Sequence, residues 1–147
     1  MARLTRVFPG WQLDVRPRDV GHTGGPVVEE SYYLQGPLTS NQDKTYKIVM
    51  LLDSYPESPP PAYALEPLLM QREGSTLATL GASQKMHTLA PDLHGNPQLC
   101  LYHDRAWSTS VTLLTMVLKA RIWLEAYESY LYTGEPLDAV LGHMEAR

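Results

Sequence analysis

Between Val111 and Thr133 apolar side chains recur at Leu113, Val117, Ala120, Leu124, Tyr127 and Leu131, in steps of four and three, flanked by Lys119, Arg121, Glu125 and Glu128. That spacing gathers one apolar stripe on one side of a helix and predicts a single long amphipathic element. Ser110 is placed to cap its start, and Gly134 followed by Pro136 to stop it. At 1.5 Å per residue such a helix spans about 35 Å, enough to cross a whole sheet face. Earlier in the chain the period is two. Tyr46, Ile48, Met50 and Leu52 fall on one face of an extended segment, and Lys47, Val49 and Leu51 on the other. Both faces are largely apolar, which predicts a strand with core on one side and a helix or loop on the other, the layering of an α+β domain. Ser31 to Gln35 reads as a partner strand, joined to it through the polar stretch Thr39 to Lys44 as a hairpin. Ala62 to Glu66 reads as a further strand closed by Pro67.

Proline and glycine punctuate the rest. Pro9, Gly10, Pro17, Gly21, Gly24, Gly25 and Pro26 exclude a long helix in residues 1 to 30 and leave room for a short strand at most. Tyr55 to Pro61, YPESPPP, is expected to be a rigid extended connector, because each proline lacks a donor and pushes its predecessor toward extended geometry. Pro91, Gly95 and Pro97 make Ala90 to Gln98 an irregular loop that delivers Leu99 and Cys100. Residues 73 to 86 carry too weak a pattern to assign.

Composition narrows the class. The 147 residues, 44% of them hydrophobic and 19% charged, suit one folded domain over residues 1 to 147. A formal net charge of −4 argues against a phosphate-binding surface, so no nucleic-acid partner is expected. Apolar runs such as Ile48 to Leu52 fall well short of the roughly 20 residues a bilayer needs. With no apolar leader after Met1, a cytoplasmic location without membrane attachment is expected. A single cysteine, Cys100, excludes an internal disulfide and a cysteine-cluster metal site, which leaves a small buried thiol or a working nucleophile. Histidines 87, 94 and 103 lack zinc-site spacing, and neither metal nor cofactor is expected. If Cys100 is a nucleophile it needs a proton acceptor and donors aimed at an oxyanion. His94 and His103 are the nearby bases, although nearness in sequence does not establish hydrogen-bond reach. Trp107 reads as a packing wedge beside the thiol, and Trp123, Tyr127 and Tyr130 as core and helix surface.

The order of these features resembles the ubiquitin-conjugating-enzyme family. Tyr33-Leu34-Gln35-Gly36-Pro37 is similar to that family's first strand ending in a Gly-Pro turn, and Tyr46 to Leu52 to its second strand. Tyr55-Pro56 with Pro59-Pro60 resembles its YPxxPP signature, Leu99-Cys100-Leu101 its catalytic segment, and Trp107-Ser108 its WS(P) element. Trp123 to Glu128 and Tyr132 to Glu135 resemble the WLxxYE and TG elements of bacterial relatives found in cyclic-oligonucleotide-based antiphage signalling (CBASS), of the short stand-alone kind.

The resemblance implies an antiparallel β-meander packed on a long C-terminal helix, with the usual N-terminal helix reduced or absent. It also implies a cysteine enzyme that forms or cleaves a thioester with the C-terminus of a cGAS-like nucleotidyltransferase. Two departures stand out. The family's HPN triplet falls on Ala90-Pro91-Asp92, so the supporting amide is replaced by a carboxylate. Asp92 would then act as a base, or His94 or Asn96 would supply the oxyanion donor. Arg3 to Gly25 offers no counterpart of the basic helix that engages an activating enzyme. Two alternatives use the same residues differently: a non-catalytic binding module that regulates the nucleotidyltransferase by complex formation, and a cysteine hydrolase using Cys100 with His94 or His103.

Overall fold

The computed structural model describes residues 1–19 and 28–141. A short helix α1 (Ala2–Val7) is followed by strands β1 (Gln12–Asp19), β2 (Val28–Thr39), β3 (Thr45–Leu51), β4 (Ala62–Glu66), β5 (Thr88–Leu89) and β6 (Gln98–Leu99), then by helices α2 (Leu113–Thr133) and α3 (Leu137–Leu141). The strands form one antiparallel sheet in the order β1-β2-β3-β4-β6-β5. The first four are a meander, and the short β5–β6 hairpin lies beyond β4. The fold is α+β, with the sheet packed against the long helix near the C-terminal end of the described chain.

The two periodicities meet in the core. Tyr46, Ile48 and Met50 are buried while Thr45 and Lys47 are exposed, as the two-residue alternation predicts. They join Leu34 and Leu38 of β2 and Met116, Val117, Ala120, Trp123, Leu124 and Tyr127 of α2 in one buried cluster. Burying a side chain of this size contributes about 1.5–3 kcal/mol. On the opposite face Val49 and Leu51 are only half-buried, beside the 90–97 loop.

Several elements differ from the sequence reading for identifiable reasons. The N-cap of α2 is Thr112, whose side chain accepts from the Thr115 amide; Ser110 instead pairs with Ser108. Gly134 does end the helix, in the left-handed region at φ 83°. Glu128 is buried rather than a solvated flank, because Tyr46 donates to it at 2.7 Å. The strand β2 runs through Gly36 and Pro37 to Thr39 instead of turning there. A turn is unnecessary because the Trp11 indole lies over Gly36, where any Cβ would clash with it, and donates to the Pro37 carbonyl at 2.8 Å. Tyr55 to Pro61 is not extended throughout. Residues 53–57 form a turn closed by the Ser58 amide on the Ser54 carbonyl, and only the triple proline is free of regular structure. The N-terminal region holds more than a short strand: a full edge strand that tolerates Pro17 because only β2 pairs with it, and a six-residue helix carrying Arg3 and Arg6.

Candidate functional site

Cys100 follows β6 at the end of the short hairpin, half-buried. Its amide donates to the His87 carbonyl at 2.8 Å, continuing the register in which Thr88 faces Leu99. His87 lies in the turn just ahead of β5, so Cys100 adjoins it through this backbone bond. Both line a cavity of about 20 Å³ with Leu101, Tyr102, His103, Ala106, Lys119, Trp123 and Leu141. That volume accommodates about one water.

Local structure holds His87 firmly. Its backbone lies in the left-handed region at φ 51°, a conformation that non-glycine residues adopt only where their surroundings fix it. Its carbonyl also accepts from Trp123 Nε1 at 2.9 Å, so the hairpin end is pinned to α2 as well as to Cys100. The imidazole is buried, and its Nε2 lies 2.9 Å from Asp138 Oδ1 on α3. A cation stands on the other wall: Lys119 Nζ is 4.3 Å from the Tyr102 ring centroid, and burial holds its ammonium below the ordinary lysine value. Tyr102 packs edge-on against Trp107, which in turn packs against Tyr55. The sequence-predicted wedge is thus part of an aromatic wall, fixed by Trp107 Nε1 donating to the Pro56 carbonyl at 2.8 Å.

The other predicted site residues divide between two places. His103 lines the Cys100 cavity from an exposed position, with its Nδ1 accepting from the Arg105 amide at 3.2 Å. Asp92 and His94 line a different cavity of about 290 Å³ on the outer sheet face, with Asn96, Arg16, Tyr33 and Tyr63. Asp92 organises its own loop: Oδ1 accepts from the His94 and Asn96 amides at 2.9 and 2.8 Å, and Oδ2 from Asn96 Nδ2 at 2.9 Å. Burial by itself raises this carboxyl, but the hydrogen bonds from Asn96 and His94 and the nearby imidazole outweigh it and hold Asp92 below the ordinary carboxylate range. Asp92 therefore works as a loop brace, and the Asn96 amide is committed to it. Sequence reasoning missed His87 and Lys119 as residues that share the thiol's cavity, and Asp138 as the partner of that imidazole. The packing of the β5–β6 hairpin, α2 and α3 on one another brings them together, and nothing in their local spacing signals it.

No family model matches the chain, and no curated protein matches it. Among solved structures it is similar to the yeast vps23 UEV domain, a ubiquitin E2 variant, in a complex with a vps27 PSDP peptide. The sequences are 18% identical, the TM-score is 0.50, and the match covers 83% of this chain and 74% of that one. At that identity the likeness concerns the fold, which is ubiquitin-conjugating-like.

Proposed function

We propose that this chain is a cysteine-dependent acyl transferase on a ubiquitin-conjugating-like fold, acting on the C-terminus of a cGAS-like nucleotidyltransferase in bacterial antiphage (CBASS) signalling. The observation that carries the chemistry is the setting of Cys100, which shares one cavity with the carboxylate-held imidazole of His87 and the ammonium of Lys119. A base and a nearby cation are what a thiol needs to react at neutral pH. In the reaction the Cys100 sulfur adds to the carbonyl carbon of an activated C-terminal acyl group, a mixed anhydride with phosphate. The carbon–sulfur bond forms, the bond to the phosphate oxygen breaks, and the phosphate leaves with the electron pair. The partner assignment comes from the motif resemblance of Leu99 to Tyr102, Trp123 to Glu128 and Tyr132 to Glu135 to the bacterial relatives.

A second reading is a non-catalytic module that regulates the nucleotidyltransferase by binding it. The fold comparison supports this reading more directly than the first, since that UEV domain is seen holding a peptide, and the water-sized cavity also suits it. Co-expression with the nucleotidyltransferase followed by intact-mass measurement separates the two. A covalent adduct that hydroxylamine releases and that Cys100→Ala abolishes is the transferase outcome. A stable complex without adduct, unchanged in Cys100→Ala, is the binding-module outcome and removes the enzymatic claim.

A further inference from the structure

We infer that His87 is the base that serves Cys100, taking the thiol proton at Nδ1 while Asp138 holds the ring through Nε2, so that the site is a Cys–His–Asp relay assembled across the β5–β6 hairpin and α3. The inference rests on the transferase reading for its purpose and on separate geometry for its parts. The His87 carbonyl accepts from the Cys100 amide at 2.8 Å, and the two residues line the same cavity. The Asp138 carboxylate reaches the buried ring at 2.9 Å from a half-exposed position on another element, and the Asp138 amide donates to the Lys85 carbonyl at 2.8 Å, fixing where α3 starts. A carboxylate on one imidazole nitrogen sets the tautomer and stabilises the imidazolium that forms when the other nitrogen takes a proton.

Proton bookkeeping closes. The Cys100 proton moves to His87, the thiolate attacks the acyl carbon, and the imidazolium returns the proton to the departing phosphate oxygen. The backbone at His87 fits this role, because the left-handed conformation and the two donors on its carbonyl leave the side chain little freedom to turn away. Among the described residues, the charged or titratable groups around the thiol and this ring are His103, Lys119, Tyr102 and Asp138. Asp138 lies 2.9 Å from the ring's Nε2, which makes it the positioning residue.

The chain's single cysteine makes the test clean, since alkylation by iodoacetamide followed by intact mass reads Cys100 alone. The pH dependence of the alkylation rate is measured on the full chain for the wild type, His87→Gln, Asp138→Asn, Lys119→Met and His103→Gln. The wild-type midpoint is expected about one pH unit or more below the 8.5 of an ordinary thiol. His87→Gln should move it up to that value, Asp138→Asn part of the way, and His103→Gln not at all. Unshifted profiles for His87→Gln and Asp138→Asn, or a shift confined to Lys119→Met or His103→Gln, overturn the inference. If His87→Gln does not fold, Asp138→Asn decides, because its side chain is half-exposed. The acyl-adduct measurement is independent. A shifted profile without any adduct sinks the transferase reading and leaves His87 as the activator of the thiol.

Discussion

Trp107 Nε1 donates to the Pro56 carbonyl at 2.8 Å, and this bond ties the segment after the cysteine to the proline connector after β3. Tyr55 strengthens the same junction by donating to the Val111 carbonyl at 2.8 Å, just ahead of α2. Two motifs 51 residues apart in the chain are therefore one physical unit, a wall of Tyr55, Tyr102 and Trp107 beside the thiol.

Trp107→Phe keeps most of the aromatic contact and deletes the bond to Pro56. It should lower stability by about 1 kcal/mol, the net worth of one such hydrogen bond, read from the urea midpoint. The same change should speed alkylation of Cys100 by loosening the wall; a slower rate would show that Trp107 does not shield the thiol.

Tyr46 and Glu128 form a buried pair with one loose end: Tyr46 donates to Oε2, and Oε1 has no hydrogen-bond partner among the described residues. Tyr46→Phe strips the carboxylate of that donor and should cost about 1–3 kcal/mol. Adding Glu128→Leu should restore most of it, since replacing a buried polar pair by apolar groups is often neutral. Urea unfolding of the single and double variants checks both.

The alkaline limb follows from the same pair. Burial first, and then the bond to Glu128, push the Tyr46 hydroxyl well above its ordinary 10.0. Tyr63 and Tyr127 are also raised, chiefly by burial. The folded state therefore keeps protons that the unfolded chain gives up, so stability is full below pH 10.0 and falls as pH rises above it. Tyr46→Phe should make that fall shallower, measured as unfolding free energy against pH.

Asp92 acts at the acid end with the opposite sign. Its carboxyl is depressed, so its contribution is present above the ordinary 3.8 and is lost as pH drops below it. Asp92→Asn should cost about 1 kcal/mol at neutral pH through the loop's lost charge-assisted bonds and flatten the acid limb. The alkylation rate of Cys100 should stay unchanged, because Asp92 lines the other cavity. A changed rate would return Asp92 to the site.

Gly36→Ala tests the strand that runs where a turn was expected. A Cβ there meets the Trp11 ring, so the indole must shift and weaken its bond to Pro37. A loss of about 1–3 kcal/mol is expected, as for other overpacked core positions, read from the thermal midpoint.

By itself the sequence determined the long helix, the alternation in β3, the β4 strand with its closing proline and the loop ahead of Cys100, because periodicity, prolines and a C-cap glycine act over a few residues at a time. The continuation of β2 past Gly36, the burial of Glu128 and the company that Cys100 keeps were decided only in three dimensions. Each depends on a partner distant in the chain: Trp11 for Gly36, Tyr46 for Glu128, and Asp138 for the imidazole beside the thiol. Such pairings follow from how sheet and helices stack, and a local pattern carries no record of which distant side chain the stacking will bring near.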